Sequence, residues 1–267
     1  MRLESCSILA HSAVKGGYRR LTLDAPGIAA AAQPGQFVHL RIPTLPKSAL
    51  RRPISVCLAA DGRLTLLYKV VGAGTAALAE LPAGARLDVL GPLGHGFPVA
   101  TQSAARPMLV GGGYGVAPLL FLATRLERRG SLFVGGRTEE DILLADEFRA
   151  LGWDVRIATE DGSAGVRGRV TVAIDAALAS VPAGGAEWFV CGPDGLLRAV
   201  GALAGERGET AWLSLDKHMA CGVGACLACV QTLRRKDGST WIGRVCKDGP
   251  VFESREIVWP SPAERNP

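Results

Sequence analysis

Four of the seven cysteines are bunched near the C-terminus, and their spacing limits what this part of the chain can fold into. They read Cys221-x4-Cys226-x2-Cys229, followed by Cys246 after sixteen further residues. Three thiolates therefore come from one tight loop, and the fourth comes from a separate segment. This C-x4-C-x2-C…C arrangement is the plant-type pattern of [2Fe-2S] ligation. The sequence predicts a [2Fe-2S] cluster with Cys221, Cys226, Cys229 and Cys246 as its ligands.

The residues around these cysteines suit a loop that wraps a cluster. Gly222 and Gly224 lack Cβ atoms, so they can adopt unusual dihedrals and let backbone N–H groups approach the sulfur atoms. The alternative is a structural four-cysteine zinc site, but such sites usually present two short C-x2-4-C pairs. The spacing therefore favours iron–sulfur over zinc. Since four cysteines are available, we expect the neighbouring His218 at the surface or at an interface.

Length and charge restrict where the chain works and what it can bind. Its 267 residues are enough for two domains and an appendage, and its net charge of +5 comes from scattered Lys and Arg. The densest basic cluster, Arg234-Arg235-Lys236, is three residues long, so we expect no nucleic-acid binding. Residues 1–6 show no signal-peptide core, and apolar stretches such as 117–123 are too short to span a membrane. We therefore expect a cytoplasmic protein, in which structural disulfides are rare.

Residues 1–100 read as short strands separated by Gly and Pro turns. Residues 36–42 alternate between polar and apolar positions, and residues 63–70 form a second such run after the Asp61-Gly62 turn signal. Residues 85–90 form a third run, and no long amphipathic helix is evident. The sequence predicts an N-terminal antiparallel β-barrel over residues 1–100.

Residues 101–210 change to strands that alternate with helices. Apolar strands are expected at residues 108–110, 132–134, 155–158 and 188–191. A helix is expected from about 117 to 129, and Thr138 with Asp141 resembles a capping box that opens the next helix. This alternation is typical of a doubly wound parallel α/β nucleotide domain. Residues 211–267, which carry the four bunched cysteines, are expected to form a small C-terminal iron–sulfur domain.

Two loops of the predicted α/β domain are candidates for dinucleotide binding. The first is a glycine-rich turn between a strand and a helix, comprising Gly111, Gly112, Gly113 and Gly115. Backbone N–H groups at such a turn can meet a pyrophosphate, although the turn lacks full G-x-G-x-x-G spacing and tight turns commonly use glycine. The second is Cys191-Gly192-Pro193, at the sheet edge where α/β folds bind ligands. Taken alone, Cys191 is more often a buried small apolar residue.

Two segments of the predicted barrel could hold a phosphate or a ring. The first comprises Arg52, Pro53, Ile54 and Ser55, in which a guanidinium suits a phosphate and a hydroxyl suits a ring heteroatom. The second is the glycine loop at residues 72–75, which Tyr68 and Lys69 precede. Read singly, each segment is more often a turn or a solvated charge than a binding site.

Taken in order along the chain, these motifs resemble those of the ferredoxin-reductase family. The matching segments are Arg52-Pro53-Ile54-Ser55, Tyr68-Lys69-Val70-Val71-Gly72-Ala73-Gly74-Thr75, Gly91-Pro92-Leu93-Gly94-His95-Gly96-Phe97 and Gly111-Gly112-Gly113-Tyr114-Gly115-Val116-Ala117-Pro118. With Cys191-Gly192-Pro193 and the C-terminal cysteines, nearly the whole chain resembles the electron-transfer subunits of class B dihydroorotate dehydrogenases. One departure is Ile54, where the wider family often has an aromatic residue that stacks on the flavin.

The resemblance implies a barrel for FAD, an α/β domain for NAD and a [2Fe-2S] domain, with no catalytic acid or base in this subunit. By residue carry-over, the FAD would be held by Arg52, Pro53, Ile54, Ser55, Leu67, Tyr68, Lys69, Gly74 and Thr75, with Ser55 near the redox-active ring. The implied partner is a separate FMN-containing dihydroorotate dehydrogenase subunit, in a heterotetramer. Electrons would run from that subunit through [2Fe-2S] and FAD to NAD⁺, in pyrimidine biosynthesis.

Alternatives stay open at this point. A related flavin and iron–sulfur NAD(P)H reductase subunit of a hydrogenase, a sulfite reductase or a ferredoxin:NADP oxidoreductase shares the same modules. A zinc-stabilised nucleotide-binding regulator is a candidate of another class. The choice between NAD and NADP is also open, because Glu139 and Glu140 suit a free ribose diol whereas Arg137 could meet a 2′-phosphate.

Overall fold

The computed structural model describes residues 1–43, 50–99, 105–179 and 181–260. Its first six strands are β1 (Arg2–Ala13), β2 (Tyr18–Asp24), β3 (Phe37–Arg41), β4 (Arg52–Ala60), β5 (Arg63–Lys69) and β6 (Arg86–Leu93). They close into an antiparallel barrel in the order β1-β2-β5-β4-β3-β6. Two short helices, α1 (Pro26–Ala31) and α2 (Ala73–Ala79), connect its strands. The predicted N-terminal barrel is thus confirmed.

The alternation of side chains along β3 and β4 separates the barrel interior from an outer face. Val38 and Ile54 face each other across the β3–β4 ladder and belong to the buried core of the barrel. Phe37 is opposite Ser55 in the same ladder, and its ring belongs instead to the core cluster that includes Cys229 of the C-terminal region. Because successive residues of a strand point to opposite faces, the outer face of β3 and β4 is turned toward the cysteine segment.

A seven-stranded sheet follows the barrel. Its strands are β7 (Arg106–Gly112), β8 (Ser131–Gly136), β9 (Asp154–Thr159), β10 (Val166–Arg167), β11 (Ala186–Cys191), β12 (Thr210–Ser214) and β15 (Val251–Glu253), in the order β10-β9-β8-β7-β11-β12-β15. Its helices are α3 (Val116–Arg125), α4 (Ala145–Ala150), α5 (Val170–Leu178) and α6 (Asp194–Glu206). All neighbours are parallel except β12 and β15. This confirms the predicted parallel α/β domain, and the strand order reverses between β7 and β11, the position at which such folds bind ligands.

Two helix predictions in this domain were wrong in detail. The helix expected to run to residue 129 ends at Arg125, because Leu126 turns to an extended conformation and is buried. Thr138 does cap a turn, since its side chain accepts a hydrogen bond from the N–H of Glu140, but that turn is a single 3-10 turn before α4. Asp141 does not complete a capping box. Its carboxylate instead accepts hydrogen bonds from Tyr18 and from the N–H of Arg137.

The C-terminal region joins the barrel to the sheet. It contains the hairpin β13 (Val230–Arg234) and β14 (Thr240–Arg244), the short helix α7 (Val245–Asp248) and β15. On the barrel side, the N–H of His95 donates to the carbonyl of Gly249 at 2.5 Å, and its Nδ1 lies 2.8 Å from the carbonyl oxygen of Lys247. The C-terminal region therefore contacts the barrel through His95 and the seven-stranded sheet through β15, which pairs with β12.

The predicted domain limits at residues 100 and 210 stay predictions, and the first of them falls outside the described residues. Within the part of the chain that the structure describes, no helix is long and apolar enough to cross a membrane.

Candidate functional site

The four predicted metal ligands lie in two pairs. The N–H of Cys226 donates to Sγ of Cys221 at 3.4 Å, and the N–H of Cys246 donates to Sγ of Cys229 at 3.4 Å. Across the described residues, no group of three or more His, Cys, Asp or Glu converges on one metal-ion position. A [2Fe-2S] cluster takes four cysteines, two on each iron. Four cysteine thiols in two neighbouring pairs are the donor set that a [2Fe-2S] cluster takes.

The cysteine loop presents its N–H groups to sulfur. Those of Val223, Ala225 and Cys226 lie 3.5, 3.3 and 3.4 Å from Cys221 Sγ. Burial alone would raise the pKa of the Cys221 thiol, but these donors bring it down to about 6. Gly222 has a φ of +70°, a conformation that favours glycine and turns the next N–H groups toward the sulfur. Cys221 is therefore prepared to act as a thiolate ligand.

The three isolated cysteines have no such surroundings. Burial raises the pKa of the thiols of Cys6, Cys57 and Cys191 to about 12. They are protonated at neutral pH and behave as small apolar side chains. Cys191, a predicted cofactor-binding residue, can therefore offer its backbone to a ligand but not a reactive thiolate.

The two predicted phosphate segments of the barrel meet each other. A Cβ placed on Gly74 would lie 2.2 Å from Nε of Arg52, so the guanidinium lies directly against the start of α2. Thr75 Oγ1 accepts hydrogen bonds from the N–H groups of Val71 at 2.9 Å and Gly72 at 3.2 Å, and so shapes the loop before the helix. A guanidinium beside a glycine loop can bind a phosphate.

Close to Arg52 and Gly74, the pairing between β4 and β5 ends before the two strands do. The β4–β5 ladder runs from the Ala60–Arg63 pair to the Val56–Leu66 pair. Beyond it, the segments containing Ser55 and Leu67 pair with β3 and β2 on their far sides. In the described strands, the backbone edges of the two predicted flavin segments are therefore not joined to each other by ladder pairs. Pro53 and Ser55 are half-buried on the outer face, whereas the side chain of Ile54 is buried in the barrel core.

The side chains at the end of β5 are already bound by protein groups. Tyr68 is buried, and its hydroxyl lies 2.9 Å from Nε2 of His11. Lys69 Nζ is 3.1 Å from Asp141 Oδ1 and 4.6 Å from the centroid of the Tyr18 ring. Leu67 is buried as well. What a flavin could meet here is chiefly backbone, and the assignment of these three residues stays a prediction.

The two predicted nucleotide loops pack together at the reversal of strand order. Gly111 at the end of β7 pairs with Cys191 at the end of β11. A Cβ on Gly115 would lie 2.3 Å from the carbonyl oxygen of Cys191, and one on Gly112 would lie 3.0 Å from Cδ of Pro193. Gly113 has a φ of +54°. The turn therefore depends on glycine for close approach, and the beginning of α3 directs its free N–H groups to this crevice.

Sequence reasoning missed a contact between the barrel and the nucleotide domain. Tyr18 of β2 donates to Asp141 Oδ1 at 2.7 Å, and its hydroxyl also lies 3.1 Å from a Cβ placed on Gly113. Burial raises the pKa of Asp141, but hydrogen bonds from Tyr18 and Lys69 outweigh it and hold that pKa below its usual value. Asp141 is therefore ionised at neutral pH. Its carboxylate links Tyr18 and Lys69 of the barrel to the α/β domain. In the sequence it looks like an ordinary helix cap.

A second missed residue is His39 in β3. Its side chain is fully buried, and burial together with the positive charge of Arg51 lowers its pKa to about 4. Neither ring nitrogen has a hydrogen-bond partner within the described ranges. In the sequence His39 occupies a polar position of an alternating strand, which predicts exposure.

The barrel, the α/β sheet and the thiolate pairs define a ferredoxin-reductase-type oxidoreductase with an added iron–sulfur domain. Two family models match: "Iron-sulfur cluster binding domain of dihydroorotate dehydrogenase B" over residues 216–258 and "Oxidoreductase NAD-binding domain" over residues 109–201. The chain belongs to the family of dihydroorotate dehydrogenase B electron transfer subunits, as the following relatives show. The resemblance inferred from the motifs is thus confirmed.

Several curated relatives carry the name dihydroorotate dehydrogenase B (NAD(+)), electron transfer subunit, and two of them illustrate the match. The one from Bacillus caldolyticus is 41% identical over 244 residues, which are 89% of this chain and 91% of that protein. The one from Geobacillus sp. (strain WCH70) is 37% identical over 264 residues, 97% of this chain and 99% of that protein. A solved NADH-dependent reduced ferredoxin-NADP oxidoreductase, studied for flavin-based electron bifurcation, matches with a TM-score of 0.82. It is 29% identical, and the match covers 95% of this chain and 90% of that one.

Proposed function

We propose that this chain carries electrons between a dihydroorotate-oxidising partner subunit and NAD⁺, with [2Fe-2S] and FAD as its cofactors. One observation carries the proposal: the three candidate sites form a continuous series. The loop bearing Cys221 packs through Gly222 on His39 of the outer barrel face. That face carries Ser55, and the barrel residue Tyr18 reaches the nucleotide loop at Gly113.

The chemistry agrees with that order. An iron–sulfur cluster passes single electrons and NAD⁺ takes a hydride, so a flavin, which does both, belongs between them. The chain's own residues position these groups and need not act as acids or bases. We assign Cys221, Cys226, Cys229 and Cys246 to the cluster. We assign the segments around Arg52 and Gly74 to FAD, and Gly111, Gly112, Gly113, Gly115, Cys191, Gly192 and Pro193 to NAD.

The partner is proposed to be an FMN-containing catalytic subunit, bound in a heterotetramer. The relatives' name as electron transfer subunits supports a separate catalytic chain. The exposed surface of the cysteine loop supports a contact there, since Cys226 is exposed and the adjacent Leu227 is 61% exposed. Exposed apolar side chains beside a redox centre suit a protein interface. NAD, rather than NADP, follows from the same names, and a cytoplasmic location stays a prediction from the sequence.

Metal analysis tests the cluster assignment. Anaerobically purified protein is expected to contain two irons and two inorganic sulfides per chain, because the four cysteines have the spacing of [2Fe-2S] ligands. Iron, zinc and acid-labile sulfide are measured on the same sample, with the visible spectrum recorded first. One equivalent of zinc without iron would contradict both the cluster and the proposed electron path.

Arg52→Ala tests the flavin assignment. Hydrogen bonds to charged groups contribute about 1.5–3 kcal/mol, so the loss of a phosphate-facing guanidinium should weaken FAD binding roughly 10- to 100-fold. FAD retention is measured by ultrafiltration and by flavin fluorescence on dilution. Arg63→Ala is the matched control, because Arg63 is an exposed arginine of the neighbouring strand β5. Full FAD occupancy in Arg52→Ala after dilution would show that Arg52 does not bind the cofactor.

A further inference from the structure

His39 lies where the barrel meets the cysteine loop. The β3–β4 ladder places His39 opposite Pro53 and Phe37 opposite Ser55. Directly opposed residues of such a ladder lie on one face, so the imidazole shares the outer face with the proposed flavin segment. On its other side is the loop: a Cβ on Gly222 would lie 2.6 Å from Cε1, 2.7 Å from Nδ1 and 2.9 Å from Nε2.

The nitrogen-bearing edge of this ring therefore faces the loop. A neutral imidazole has one N–H donor and one acceptor, and neither nitrogen of His39 has a partner among the residues that the structure describes. A buried donor without a partner carries the full cost of its desolvation. This arrangement is expected if a group that binds between β3 and the cysteine loop accepts a hydrogen bond from the ring N–H of His39.

Sulfur is the acceptor that the loop supplies. Gly222 directly follows Cys221, whose Sγ is approached by the N–H groups of Val223, Ala225 and Cys226. Those three donors come from the loop itself, whereas His39 approaches from the barrel. The missing Cβ of Gly222 is what lets the ring come this close.

We propose that His39 is a positioning residue of the iron–sulfur site, whose ring N–H donates a hydrogen bond to a sulfur atom of that site and so raises the reduction potential of the cluster. The inference rests on the proposed function, because it requires the four cysteines to hold [2Fe-2S]. Reduction adds negative charge to the site, so a donor stabilises the reduced state more than the oxidised one. Hydrogen bonds to the sulfurs are among the properties that set the potentials of such clusters.

The test is a redox titration of the cluster, followed by EPR, in the complete protein. His39→Leu removes the donor and is expected to disfavour reduction roughly tenfold, about 59 mV for a one-electron couple. His39→Gln keeps an N–H donor and should restore most of the potential. His218→Leu is the control, because His218 is an exposed histidine close to the same loop. A wild-type potential in His39→Leu, an equal fall in both His39 variants, or a shift confined to the flavin would overturn the proposal.

A second measurement starts from the wild-type protein. In wild-type protein labelled with ¹⁵N-histidine, pulsed EPR of the reduced cluster is expected to show coupling to one histidine nitrogen. The coupling should vanish in His39→Gln and persist in His218→Leu. Absence of the coupling in the wild type overturns the inference even if His39→Leu fails to fold. Protein without iron would instead refute the proposed function, so the two failures are distinguishable.

Discussion

Cys226→Ser is expected to stop electron passage between the partner subunit and NAD⁺ while leaving the reaction with NADH intact. Cys226 is the exposed member of the first thiol pair, and its loss leaves Cys221 without the second thiolate. Dihydroorotate:NAD⁺ turnover should fall roughly 100-fold or more, since the proposed single-electron relay between the partner subunit and the FAD is missing. NADH should still bleach the bound FAD, because hydride transfer needs only the barrel and the nucleotide domain.

Two anaerobic assays separate these outcomes. The first follows the flavin absorbance of the isolated variant after addition of NADH, and the second follows turnover in the complex reconstituted with the partner subunit. Ala228→Ser is the matched control, because it adds a hydroxyl at an exposed position of the same loop and removes no ligand. Near-normal turnover in a cluster-free complex would mean that the two flavins communicate directly. The cluster would then be structural, and the proposed electron path would be wrong.

The features that the sequence predicted well are those with local signals. The strands of the barrel alternate with period two, the α/β domain alternates strands with helices, and the cysteine spacing depends on one loop. The meeting of Gly115 with Cys191 could also be expected, because the carboxyl ends of parallel strands lie at one edge of the sheet. In each case the signal that predicts the structure lies within a few neighbouring residues or follows from the topology of a parallel sheet.

The features that the sequence did not predict depend on packing between distant segments. His39 occupies a polar position in the alternating strand, yet it is buried, and Gly222 from the far end of the chain packs against its ring. Asp141 looks like a helix cap, but Tyr18 and Lys69 of the barrel bind its carboxylate. β15 becomes the edge strand of the nucleotide sheet, although it follows the cysteines. Such contacts leave no pattern in the local sequence, because each of these residues could equally lie on the surface of its own segment.

Gly115→Ala is expected to have the opposite effect to Cys226→Ser: it should weaken the reaction with NADH and leave the reaction with dihydroorotate intact. Gly115 has a φ of −61°, which alanine adopts freely, so the obstacle is the backbone of the neighbouring loop: the new Cβ would lie 2.3 Å from the carbonyl oxygen of Cys191 and 2.9 Å from the backbone nitrogen of Gly192. Overpacking of this kind costs about 1–3 kcal/mol. The glycine turn and the Cys191-Gly192 segment must then move apart, which displaces the N–H groups proposed to hold the pyrophosphate. We expect the apparent affinity for NADH to fall roughly 10- to 100-fold, at about 1.4 kcal/mol per factor of ten.

Gly195→Ala is the control that makes this result interpretable. Gly195 lies in the first turn of α6, close to the same crevice, and a Cβ placed there meets no atom within 4 Å. It should bind NADH as the wild type does. In the reconstituted complex of Gly115→Ala, dihydroorotate should still reduce the cluster and the FAD, because the three atoms nearest to the new methyl group belong to Cys191 and Gly192 of the nucleotide domain. The measurements are NADH titration of flavin bleaching and, separately, reduction of the complex by dihydroorotate. Wild-type affinity for NADH in Gly115→Ala would place the pyrophosphate elsewhere, whereas loss of the dihydroorotate reaction would show that the damage spreads beyond the nucleotide loop.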